Sequence, residues 1–402
     1  MLRRLCITIG VSLLSQLPAS FTVAQARQPD RFPPNPLEVT TPDPLLPHVR
    51  GEQQLSPVEQ QNLESALDEL HQEGEAKLQA GDQQAAFEIW NREARLRRYL
   101  GSLAEVAALS RFGAIAWNRN QAEQVRFITQ RLQTIQNQAQ RQNTVDLELW
   151  RSLGEAYQRV RSPQMALQVY QQILTAVQAK QDAAAILQTL NTIGELHLSW
   201  FDYTQAAATY EKLLNLTANT NDRASELRHL QQLAYIYQQA EKPQSAIGVL
   251  QRLVEIHQQQ NELDQIPRLH LAIGANYELL AQENPNLLRQ AFTHYQEAYL
   301  TAMRSRHYVR AAEALQKLIP LYQAQGQIEE ALQASQILIQ TQQQAVNYYG
   351  MMQAYDQIGQ LYIQLQQYPQ ALTAFQRGLE LAQQLQHQET YFTQQIEKVS
   401  NL

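Results

Sequence analysis

Nine histidines, 38 carboxylates and a single cysteine are what this 402-residue chain offers for acid–base, nucleophilic or metal chemistry, and their spacing assembles none of it. A helical zinc site of the His-Glu-x-x-His kind needs two histidines four residues apart, because that spacing stacks both imidazoles on one face. No two histidines here stand four apart, and His197 occupies a recurring position that elsewhere holds tyrosine, so it reads as a packed or edge residue. Gly-x-Ser-x-Gly is absent, and the glycines stand singly rather than in the clusters that cradle phosphate. Glu329-Glu330 are consecutive, so on a helix they do not face each other; they suit a helix start, where negative charge complements the dipole. The expectation is a chain with no catalytic, cofactor or metal-binding residues.

Any functional side chain must instead sit on a repeat. Leu153-Gly154-Glu155-Ala156-Tyr157, Ile193-Gly194-Glu195-Leu196-His197, Leu233-Ala234-Tyr235-Ile236-Tyr237, Ile273-Gly274-Ala275-Asn276-Tyr277 and Ile358-Gly359-Gln360-Leu361-Tyr362 share one pattern: apolar, small, x, x, aromatic. Twelve residues beyond the small position stands Ala166, Ala206, Ala246 or Ala371, and four further Tyr170, Tyr210, Leu250 or Phe375. Weaker copies at Glu73 (with Ala76, Ala85 and Ile89), Gly113 (with Ala116 and Val125) and Ile319 (with Tyr322 and Ala331) complete eight slots, at 73, 113, 154, 194, 234, 274, 319 and 359. Their spacings are 40, 41, 40, 40, 40, 45 and 40, the 45 holding an insertion around residues 282–287. Within a unit the apolar residues recur at three and four, as in Leu187, Leu190, Ile193 and Leu196, which is helical spacing. Ser162-Pro163, Asp202, Lys242-Pro243, Asn284-Pro285, Gly326 and Tyr368-Pro369 break the paired helices apart. Asn143, Asp182, Asn221-Asp222, Asn261 and Ser305 suit the turns between units. Each unit therefore predicts a helical hairpin that cannot bury its own apolar faces and must stack on its neighbours.

This pattern resembles the tetratricopeptide repeat family. Trp150, Gly154, Tyr157, Ala166 and Tyr170 carry the likeness, which recurs to Phe375 and covers about residues 59–386. The family's usual period of about 34 is exceeded and its unit-end proline is missing, so the likeness is to longer-helix variants with a period of about 40. The resemblance implies an all-α, right-handed superhelical α-solenoid of about eight hairpins, with residues 387–402 as a C-terminal capping helix. It also implies that first helices line the concave side, where residues flanking the small slot meet ligands. Those residues are Glu148, Arg151, Glu155, Gln158 and Arg159, then Gln188, Asn191 and Glu195, then Arg228, Gln231, Tyr235 and Gln238, then Arg268, Leu271 and Glu278. Such a groove is rich in amides with a few arginines, fit to hydrogen-bond an extended peptide or a helix. The family's carboxylate-gripping clamp has Lys and Asn where Arg151 and Glu155 stand, which disfavours that ligand. Trp117 falls on the same face, either as an anchor for a partner or packed against the neighbouring hairpin. The implied role is a non-enzymatic protein-binding scaffold or assembly factor; the alternative is a regulator in which a peptide changes the solenoid's curvature.

The composition narrows the partners. Sixty-five glutamines and only 17 % charged residues mark a polar, weakly charged helical surface, while 44 % hydrophobic content excludes wholesale disorder. A net charge of −6 lacks the basic footprint of a nucleic-acid binder. Arg3 and Arg4, the apolar run from Leu5 to Leu14 and the closing Ala24-Gln25-Ala26 have the layout of a cleavable export signal over residues 1–26. The run is too short to span a bilayer, so no membrane span is expected in the mature chain. Cleavage would remove the only thiol, Cys6, and with Arg3 and Arg4 gone would take the charge from −6 to −8. The signal and the Gln-rich repeat style point to the periplasm or thylakoid lumen, or to secretion. Residues 27–58 hold eight of the 15 prolines and read as a disordered linker, either a spacer or a docking peptide.

Overall fold

The computed structural model describes residues 35–40, 42–46, 55–142, 146–218 and 222–402. The expected signal at 1–26, residues 27–34 and 47–54 of the expected linker, and the turn residues Asn143 and Asn221 lie outside the described residues. The described chain is all-α. Successive hairpins are α1 (Pro57–Gln79) with α2 (Gln83–Arg97), α3 (Ser102–Asn118) with α4 (Ala122–Gln140), α5 (Leu147–Arg159) with α6 (Pro163–Ala179), and α7 (Ala183–Ser199) with α8 (Tyr203–Ala218). They continue as α9 (Arg223–Gln239) with α10 (Pro243–Gln259), α11 (Ile266–Ala281) with α12 (Leu288–Arg304), α13 (Tyr308–Ala324) with α14 (Ile328–Gln344), and α15 (Tyr348–Gln364) with α16 (Tyr368–Leu385). A final helix, α17 (Glu389–Ser400), packs on α16. Helix contacts run mainly between chain neighbours, which makes the fold a solenoid.

Local chemistry sets the boundaries. Ser56 and Glu59 form a capping box at the start of α1, while Asp82, Asp146, Asp182, Asp222 and Asn347 each accept a backbone N–H at a helix start. Proline opens α6 and α10, where its missing N–H costs nothing. The expected insertion appears as a 3-10 turn, Pro285–Leu287, between α11 and α12.

The slots are where each hairpin closes. A Cβ added at Gly154, Gly194, Gly274 or Gly359 would lie 2.5–2.8 Å from a ring atom of Tyr170, Tyr210, Tyr295 or Phe375 respectively, so the missing side chain is what seats the ring. One slot needs correction and another keeps its place but closes on a different partner. In the first unit the position is Gly74 rather than Glu73: Gly74 lies 2.4 Å, at its would-be Cβ, from the Trp90 ring, while Glu73 is exposed. The matching alanine is then Ala86, fully buried, rather than Ala85. In the second unit Gly113 makes room for Val160 from the following hairpin, and α3 packs directly on α5. Unit seven reverses the sizes, with Ile319 and Ser335 both wholly buried.

The expected linker is not uniformly disordered. Residues 35–40 and 42–46 dock on the first two hairpins: a 3-10 turn at Pro36–Glu38 delivers Leu37, 1 % exposed, into the cluster that holds Trp90 and Ile128. That segment meets a second face of α4 beyond the one its repeat pattern predicts, at Phe127, whose carbonyl accepts from Asn35, and at Arg131, which reaches Glu38.

Candidate functional site

Residues at −6, −3, +1 and +4 from a slot share one face of a first helix, because three- and four-residue steps return to the same side. Every residue expected in the groove is exposed or half-buried, as that placement requires. Two clefts open along this face. The first, about 310 Å³, lies between α7, α8 and α9 and brings together Asn191, Glu195, Arg228 and Gln231 above Tyr210, Thr217 and His229. The second, about 510 Å³, lies between α9, α10 and α11 and brings together Gln231, Tyr235, Gln238 and Arg268 above Ala246, Leu250 and Leu253. Gln231 borders both, so the clefts adjoin.

The larger cleft has a cause in the repeat. Units three, four and six close with a tyrosine against glycine, and in units three and six its hydroxyl reaches the residue four beyond the slot. The Gln158 amide donates to Tyr170 Oη at 3.0 Å, and Tyr295 Oη donates to Glu278. Unit five has Ala234 and Leu250 instead, and a leucine ends short of the place where those hydroxyls emerge. Tyr235 (49 % exposed) and Leu279 (54 % exposed) leave apolar surface at the rim of the opening. Arg268 makes no ion pair or side-chain hydrogen bond with the described residues, and Arg228 reaches only the Ser225 hydroxyl, 2.8 Å away. An apolar floor with amides and unpaired guanidinium groups at its edge can hold a peptide's side chain while bonding its carbonyls or carboxylates.

The other expected residues stand apart from these clefts. Trp117, 45 % exposed, lies on α3, and Glu148, Arg151, Glu155, Gln158 and Arg159 continue the face along α5; Gln188 is exposed on α7. Leu271 packs beside Tyr295, and Glu278 is engaged by Tyr295 and by Lys317 Nζ at 3.5 Å, so both already serve the stack. Asn191, which does line the first cleft, donates to the Leu187 carbonyl of its own helix at 2.9 Å. Sequence reasoning missed Ser225, His229, Asn276 and Leu279. The last two continue the series through Arg268, Ala272 and Ala275 at helical spacing, a signal the sequence did contain.

His197 sits half-buried 3.7 Å from Asp202, with burial holding its pKa down against the carboxylate's pull. A histidine pair the spacing did not reveal lies between α11 and α12. His270 Nδ1 is 3.0 Å from His294 Nδ1, and the His294 ring stacks on Tyr277 at 5.5 Å between centroids. Burial, and then His294, push His270 down to about 4. Among the described residues no three His, Cys, Asp or Glu side chains gather as a metal site would require, and no helix is long and apolar enough to cross a membrane.

Comparison with curated protein sequences gives no match. Among solved structures the chain is similar to BtubC from P. vanneervenii, with 14 % identity over 56 % of this chain and 92 % of that one and a TM-score of 0.38. It is similar to the apo form of the quorum sensor NprR from B. thuringiensis, with 15 % identity over 73 % and 80 % of the two chains and a TM-score of 0.35. The apo form of RapI gives 12 % identity over 84 % and 98 %, with a TM-score of 0.38. None of the three is similar enough to carry a role across to this chain. The tetratricopeptide repeat signature matches residues 149–184, 187–220 and 353–385. Those matches fall on hairpins α5–α6, α7–α8 and α15–α16, which are therefore tetratricopeptide repeats, and the same hairpin register runs between and beyond them.

Proposed function

We propose that this chain is a non-enzymatic scaffold or assembly factor that works outside the cytoplasm and holds an extended peptide or a helix of a partner protein across α7, α9 and α11. The observation that carries the reading is the pair of adjoining clefts, joined at Gln231 and edged by Arg228 and Arg268, neither of which forms a close ion pair with the described residues. An apolar opening beside unpaired cations is what a peptide with an apolar anchor and nearby carboxylates would complement. The extracellular or lumenal setting rests on the signal-like layout of residues 1–26.

The test is site-specific photo-crosslinking in the native envelope fraction, with the reactive group at Tyr235 in the groove and, as a control, at exposed Tyr348 at the start of α15. A partner captured from Tyr235 should be absent from Tyr348 and lost when Arg151, Arg228 and Arg268 are all changed to Glu. Identical captures from both positions, unaltered by the triple charge reversal, would remove the groove from consideration.

A further inference from the structure

A second docking site lies one hairpin away from that groove, on α2 and α4 with the apolar side of α1, and the chain fills it with its own residues 35–40 and 42–46. The contacts are those of a recognised peptide rather than of a spacer. Leu37 is buried, and Leu45 and Leu46 pack against the cluster of Leu63, Leu67, Leu70 and Leu96. Two of the segment's carbonyls are held by side chains: Arg95 Nη1 donates to Pro36 O at 3.0 Å, and Arg98 Nη2 to Leu37 O at 2.6 Å. Asp43 receives Arg92 in a two-pronged pair, Nε and Nη2 each at 2.8 Å, which holds the carboxyl below its ordinary range. Arg131 Nη1 reaches Glu38 at 3.4 Å.

The receptor side is as specific as the ligand side. Arg92, Arg95 and Arg98 recur every three residues along α2 and the turn that ends it, so they form one ladder. Arg92 and Arg95 bond to nothing else in the described chain than this segment. The guanidinium fork of Arg98 already leaves its Nε buried without a partner. Three guanidinium groups, of which Arg98 also faces Glu105 at 3.7 Å, meet one strip of backbone and one carboxylate and make a reader of extended chain.

We propose that this α2–α4 face is a peptide-docking site in its own right, occupied in cis by residues 35–40 and 42–46, and that it takes an extended peptide of the same pattern from a partner protein. That pattern is a leucine behind proline with a carboxylate six residues on. The tethered segment holds the site by its high local concentration, so a partner's peptide enters when the resident segment is loosened or when it arrives at comparable effective concentration.

The probe is a fluorescent synthetic peptide of residues 35–46, titrated by anisotropy against full-length chains. Leu37→Asp with Asp43→Ala unseats the resident segment and leaves every arginine in place. The peptide should saturate this variant at least roughly tenfold more tightly than the wild-type chain, and adding Arg92→Ala with Arg95→Ala should weaken it again by roughly tenfold. Helical circular dichroism confirms the fold of each variant. If the double variant loses helicity, Asp43→Ala alone, which keeps Leu37 seated and frees Arg92, should still admit the peptide several-fold better than wild type. No saturable binding to a folded variant, or equal binding by variant and wild type, overturns the proposal.

Discussion

At the scale of single residues the stack turns on what a glycine omits. A Cβ at Gly274 would lie 2.5 Å from Tyr295 Cε1, and Tyr295 is wholly buried with its hydroxyl committed to Glu278, so the ring has nowhere to go. Gly248 is also helical, on α10, yet nothing lies within 4 Å of its would-be Cβ. The same substitution should therefore have opposite signs at the two sites. Gly274→Ala should cost about 1–3 kcal/mol through overpacking, and Gly248→Ala should gain up to about 1 kcal/mol by restricting the unfolded chain; thermal melts of the two variants read the difference directly. His270 supplies the pH dependence. Its pKa in the folded protein is pushed down to about 4, mainly by burial. The unfolded chain, with histidine near its ordinary value of about 6.5, binds the proton first on acidification. Stability is thus full above about pH 6.5 and drains as the pH falls toward 4, by up to about 3 kcal/mol from this residue. His294, His229 and His197 are shifted in the same direction and add to the slope. Melting temperature measured from pH 7 to pH 4.5 should fall less steeply in His270→Gln than in wild type; parallel curves would show that the buried imidazole does not titrate this way.

At the scale of elements, α4 differs from the other second helices because it is held from three sides. Arg131 on α4 makes a two-pronged pair with Glu105 on α3, Nε to Oε1 at 2.6 Å and Nη2 to Oε2 at 2.9 Å, and both residues are buried. Asn91 on α2 and Gln124 on α4 exchange reciprocal amide hydrogen bonds at 2.9 and 3.1 Å, also buried. Removing Arg131 leaves the buried Glu105 with only the longer contact to Arg98 Nη2 at 3.7 Å, so Arg131→Met should cost about 3 kcal/mol. Arg131→Met combined with Glu105→Leu should recover most of that loss; chemical denaturation of the single and double variants would show it, and equal losses in both would mean that packing rather than charge carries the contact. These elements also mark where the sequence was legible. The slots at Gly154, Gly194 and Gly359 could be read because glycine, alanine and ring recur at fixed distances within a single hairpin, and Gly274 from its first-helix pattern alone, since the insertion moves Ala291 and Tyr295 five residues further on. Glu73 was mistaken for Gly74 because two neighbours fit a degenerate pattern and only the ring of Trp90 decides between them. Leu37 could not be read at all: its partners lie some 50 to 90 residues away, and proline-rich composition looks the same whether a segment is free or docked. The groove arginines followed from the slot positions, whereas the His270–His294 pair spans two helices and has no spacing rule.

At the scale of the whole molecule, length is a count of interfaces. Most helices touch the ones before and after them, with α3–α5 and α11–α13 the main contacts that skip a neighbour. The buried clusters follow the same order, one joining α2 through α7, the next α7 through α11, then those of α13–α15 and α15–α17. Stability in such an array is close to a sum of hairpin terms and nearest-neighbour terms, so damage should stay near its source. Ala206, on α8, is wholly buried among Leu190, Tyr210 and Leu230. Ala206→Arg forces a long side chain and an unpaired charge into that interface and should cost several kcal/mol, about the size of a typical core defect. Hydrogen exchange should then rise most in α7 to α10 and fade over one or two hairpins on either side, with α1 to α3 and α15 to α17 keeping their protection. The same change at Ala246, on α10, should move the centre of the damage one hairpin toward the C-terminus. A loss of protection spread evenly over all the helices would instead make the chain one cooperative unit. In that case the inner groove and the α2–α4 site would sense each other's occupancy fully, whereas in a nearest-neighbour stack the single hairpin between them, α5–α6, passes on only part of the coupling.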